Sequence, residues 1–99
     1  MAQSIEEKRK FVTELQEHYD NLRKKHRCYL NSRQNSQIRM ERSFQHWGNE
    51  DNIDYKLYKN TFEHSREMLR FLEGELRIAK RVLKVERDEL SVMCQTKKD

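Results

Sequence analysis

Residues 55–93 read YKLYKNTFEHSREMLRFLEGELRIAKRVLKVERDELSVM, and every seventh position from Tyr55 is apolar: Tyr55, Phe62, Leu69, Leu76, Leu83 and Leu90. Tyr58, Leu72, Ala79 and Met93 fill most of the companion positions three residues on, with Ser65 and Glu86 as misfits. A period of 3.5 sustained over six heptads is the mark of a coiled-coil seam. This stretch decides the fold, since a seam needs a second helix to face.

The preceding half supplies one. Ser4-Ile5-Glu6-Glu7 is a capping box, in which the serine hydroxyl accepts from the amide three residues on. Ile5, Val12, Tyr19, Met40 and Trp47 then recur on a seven-residue spacing, interrupted by His26 and Arg33, while Leu15, Leu22 and Tyr29 stand three later. The middle, Asn31 to Gln37, has weak helix propensity. The helix is expected to run through it.

Trp47-Gly48-Asn49-Glu50-Asp51-Asn52 is the convincing turn. Gly48 can take the left-handed conformation that closes a helix, and Asp51 or Asn52 can cap the next. The expectation is an all-α fold: two long antiparallel helices forming a coiled-coil-like hairpin. The first helix spans about 4–46, the turn about 47–52 and the second helix about 53–94. At about 40 residues, each helix would be about 60 Å long. Its seam draws on Val12, Leu15, Tyr19, Leu22 and Met40 from the first helix and Tyr55, Phe62, Leu69, Leu76, Leu83 and Leu90 from the second.

Composition fits. There is no proline and there are two glycines among 99 residues, too few turn formers for a β-rich chain. Charged residues make up 38%, hydrophobic residues 34%, a balance too polar for a thick core. No apolar run approaches the roughly 18 residues of a membrane span. No signal-peptide core follows Met1, so the expected location is cytoplasmic, with co-export alongside a cargo left open. In such a hairpin Cys28 would face the level of residue 72, on the order of 30 Å from Cys94. Both are expected to be free thiols.

The second helix carries more apolar surface than its seam uses. Phe71, Ile78, Val85 and Val92 are again seven apart, with Val82 between them. They lie about 200° round the axis from the leucine line. Left wet, five such side chains forgo roughly 1.5–3 kcal/mol each, and a contiguous exposed row marks an interaction surface. Phe71, Ile78, Val82, Val85 and Val92 are therefore the expected partner-binding residues, for a helical partner or a second copy.

Chemistry is not expected. His18, His26, His46 and His64 stand at no metal-ligand spacing, since positions 15, 23 and 61 are Leu, Arg and Thr where Glu-x-x-His would need Glu. Neither a nucleophile elbow nor a phosphate loop is present. No cofactor, metal or enzymatic activity is expected. Seven bases between Arg23 and Arg42 face one acid, Glu41, a run able to neutralise phosphates. The flanking helix is charge-balanced and no nucleic-acid module is present, which argues against that use.

Two equal helices around Trp47-Gly48 give the chain an architecture that resembles the WXG-type hairpins of type VII secretion. Gly48 follows Trp47 directly here, where that family has Trp-x-Gly. Its Tyr-x-x-x-Asp/Glu export signal has its nearest form at Phe71-Leu-Glu-Gly-Glu75, inside the second helix, and is not carried over. The whole chain is more similar to the small helical proteins encoded beside LXG toxins. That likeness implies an adaptor or chaperone that binds a toxin's helical N-terminal domain, a second small helical protein, or both, with the Phe71–Val92 row along the partner. Cytosolic coiled-coil stalks of flagellar or injectisome export ATPases are also similar hairpins, with basic surfaces and no need of a free apolar row.

Overall fold

A computed structural model describes residues 4–98, with side chains to 96. The protein is all-α, an antiparallel hairpin of α1 (Ile5–Trp47) and α2 (Ile53–Lys98). Among the described residues, one compact unit joins 4–23 with 74–98, and the other is Lys24–Glu73, which carries the turn.

The ends form as the local chemistry dictates. Ser4 Oγ accepts the Glu7 amide at 3.1 Å, satisfying an amide that the first turn leaves without a partner. Gly48 has φ 75° and its amide donates to the Phe44 carbonyl at 2.7 Å. A side chain there would be strained. Asn52 is the cap of α2, its Oδ1 accepting from Asp54 at 2.8 Å and Tyr55 at 3.4 Å. Trp47, assigned to the turn from sequence, is the last residue of α1 and is exposed, edge-on to His46 at 4.7 Å. At the other end α2 continues past 94 to Lys98.

The weak stretch Asn31–Gln37 is helical. Its serines explain how: Ser36 Oγ donates to the Ser32 carbonyl at 2.6 Å, so the hydroxyl is satisfied within the helix.

In the open-ended unit, α1 turns Ile5, Lys8, Val12, Leu15, Tyr19 and Leu22 inward. They meet Leu76, Ala79, Leu83, Glu86, Leu90 and Met93 of α2. In the turn unit the sets are His26, Tyr29, Arg33, Ser36, Met40 and Ser43 against Tyr55, Tyr58, Phe62, Ser65, Leu69 and Leu72. All are buried or half-buried, so the alternation of three and four holds where the residue is polar as well as where it is apolar.

The two misfits of α2 are answered from α1. Ser65, 1% exposed, donates its hydroxyl to Ser32 Oγ at 3.0 Å. Glu86 meets the buried Lys8, whose ammonium also donates to Glu89 Oε2 at 2.6 Å. A buried polar group is tolerated when it is bonded.

Gly74 lies in α2 without a positive φ, and a Cβ built there meets nothing within 4 Å. A mid-helix glycine costs about 1 kcal/mol relative to alanine. Gly74→Ala is therefore expected to raise the unfolding free energy by about 0.5–1 kcal/mol, read as a melting temperature several degrees higher.

Candidate partner-binding face

The heptad sets which residues share a side. In the open-ended unit the positions four past each seam residue, Arg9 with Cys94 and Gln16 with Arg87, meet across one edge of the hairpin. The Arg9 guanidinium lies 3.8 Å from Cys94 Sγ, and Arg87 donates to Gln16 Oε1. Positions two past and one before the leucines of α2 fall on the other side. There stand Ile78, Val85 and Val92, and with them Val82.

These side chains are open to water. Phe71, Ile78 and Val92 are each 60% exposed, Val85 50% and Val82 38%. Phe71 belongs to the turn unit and the other four to the open-ended one. On this side of the hairpin, two residues escaped the sequence reading. Leu57, exposed in the turn unit, stands fourteen positions before Phe71 and so on the same line of α2. Phe11, exposed one position before Val12, takes in α1 the place that Val82 takes in α2. Counting the seven-residue spacing back from Phe71 would have found Leu57. Phe11 needed the pairing of the helices.

The seam residues are placed inward. Leu22, Leu69, Leu72, Ala79 and Leu83 are buried, while Val12, Leu15, Tyr19, Met40, Tyr55, Phe62, Leu76 and Leu90 are half-buried. Half-burial is what two helices alone can give, since each covers only one side of the other.

Lys8 provides the strongest electrostatic feature. Hydrogen bonds to Glu86 and then Glu89 hold its pKa above the ordinary 10.5, against the opposing effect of desolvation. The hydrogen bond from Lys8 holds Glu89 below the ordinary 4.5. A raised lysine contributes fully below its unfolded pKa and is lost as pH climbs through the folded one. A depressed glutamate contributes above its unfolded pKa and is lost as pH falls. The urea midpoint is expected to fall below about pH 4.5 and again above about pH 10.5. In Lys8→Met the acid limb should be shallower; an unchanged limb would show that the contact adds nothing to stability.

The remaining polar clusters are sparse. His26 Nε2 is 3.6 Å from Glu73 Oε1 and has no hydrogen-bond partner. Among the described residues no three His, Cys, Asp or Glu side chains gather as a metal site. Cys28 is an exposed free thiol and Cys94 a half-buried one. The bases of the Arg23–Arg42 run are spread round α1: Arg33 is half-buried on the seam, and Arg39 lies 5.8 Å over the Tyr58 ring. Among the described residues no helix is long and apolar enough to cross a membrane.

No family model, curated protein or solved structure matches the chain.

Proposed function

We propose that this protein is a non-enzymatic helical adaptor or chaperone that binds the helical N-terminal domain of a secreted toxin and helps target it to a type VII secretion system. The observation that carries the reading is the exposed heptad line of α2, Phe71, Ile78, Val85 and Val92 with Val82. A partner helix can seat on a line spaced at 3.5 residues, because that is the period at which two helices keep contact. A two-helix hairpin also gains from assembly, because each helix covers only one side of the other. The cargo supplies burial that two helices lack. The named toxin class rests on the likeness of the chain to the small helical proteins encoded beside LXG toxins.

The test is co-expression with the helical N-terminal domain of an LXG toxin, followed by purification and light scattering. A complex of defined stoichiometry that survives moderate salt is the expected result. Failure of the two chains to co-purify would sink the reading. Salt separates it from nucleic-acid binding through Arg23–Arg42, which would lose about 10³–10⁵ in affinity between 50 and 200 mM if six to ten phosphates were contacted. Binding to an ATPase ring that is indifferent to substitution of Val85 would favour the stalk.

A further inference from the structure

Beside the apolar positions of the open-ended unit runs a border of cations. Arg77, Arg81 and Lys84 stand four and three apart on the outer flank of the line formed by Ile78, Val85 and Val92, Arg81 about 50° round the axis from it and the other two about 100°. All three are exposed, and none forms an ion pair among the described residues. Asp88 follows four after Lys84 without pairing to it. Like charges at these spacings repel along a helix and weaken it. The chain thus holds an unneutralised cationic edge next to an uncovered apolar line, and one occupant would relieve both.

We infer that the occupant is an amphipathic helix of another protein, with an apolar heptad seam and carboxylates along one edge of it. The inference rests on the docking face proposed above and adds the chemistry of what docks. A second copy serves poorly. Laid antiparallel, line on line, it brings the three cations of both chains to one edge, six against two aspartates. Laid parallel, it turns them toward Glu75, Glu86 and Glu89, and Lys8 already engages the last two, which leaves one free carboxylate for three cations. A bilayer serves poorly too. An interfacial helix presents a broad apolar face, whereas this line is one to two residues wide and has Glu75 and Glu89 on its inner side. Opposed charges at the margin of an interface chiefly set the choice of partner and the rate of encounter.

Two synthetic helical peptides with the same leucine and isoleucine heptads test this, one with glutamates and the other with lysines along the flanking positions. The acid-edged peptide is expected to bind the full chain about tenfold more tightly at low salt, with the gap closing as salt rises. The triple variant Arg77→Glu, Arg81→Glu, Lys84→Glu should reverse the order. These are exposed positions, and circular dichroism checks that helicity is kept. Equal affinity for both peptides, lost in Val85→Asp, overturns the charge inference and leaves the docking face standing. Binding of neither peptide overturns the inference, as does stronger attachment to phosphatidylserine vesicles than to either. A wild-type dimer that Val85→Asp makes monomeric gives the face to a second copy and overturns it as well. Peptide binding unaltered by Val85→Asp would sink the face and the inference together.

Discussion

Shortening Leu72 to alanine is expected to cost about 3 kcal/mol of unfolding free energy, a large part of what a domain of this size possesses. Leu72 is only 2% exposed and occupies a seam position of α2 in the turn unit, so the lost methyl groups leave a void. A hairpin has no third layer that could collapse into it. The loss should appear as a lower urea midpoint with little change in slope. Leu57→Ala is the control: it removes the same atoms from a residue that is 58% exposed, and should cost under about 0.5 kcal/mol. Equal shifts for the two would mean that the seam does not carry the stability of the fold.

The second large effect is on assembly. Phe71→Asp combined with Val85→Asp is expected to abolish the proposed capture of a toxin's helical domain while leaving the far-ultraviolet circular dichroism of the isolated chain unchanged. Both residues are at least half exposed, so a carboxylate there stays hydrated in the free protein. In a complex it would have to be stripped of water against an apolar surface, at a cost of several kcal/mol. The comparison Leu57→Asp, on the same line of α2, measures how far along the helix the contact extends. Undiminished co-purification of the double variant would end the docking proposal.

Much of this architecture could be read in the chain before its coordinates. The leucine line of α2, the capping serine and the Gly48 closure are local signals, each set by neighbours a few residues away. What escaped was non-local. Lys8 is a charged residue in a charged stretch, and hydropathy gives no reason to place it inward. Its position three after Ile5 was the available clue, together with Glu86, its opposite charge on the other side of the turn. Ser65 counted as a flaw in the heptad because the Ser32 hydroxyl that satisfies it is 33 residues away. The free apolar line was legible in outline because it follows the same arithmetic as the seam. Its cationic border emerged only when the helix sides were assigned, since Arg77, Arg81 and Lys84 lie among other charges in the sequence.

The paired polar groups inside the seam have one more consequence. Leucines are interchangeable, and sliding α2 along α1 by one heptad would still keep most of the grease facing inward. It would also strand the Lys8 ammonium at the level of Val82 or Thr96 and part Ser65 from Ser32. Salt bridge and hydroxyl pair thus act like notches on a ruler, holding a single axial alignment that greasy contacts alone would leave degenerate.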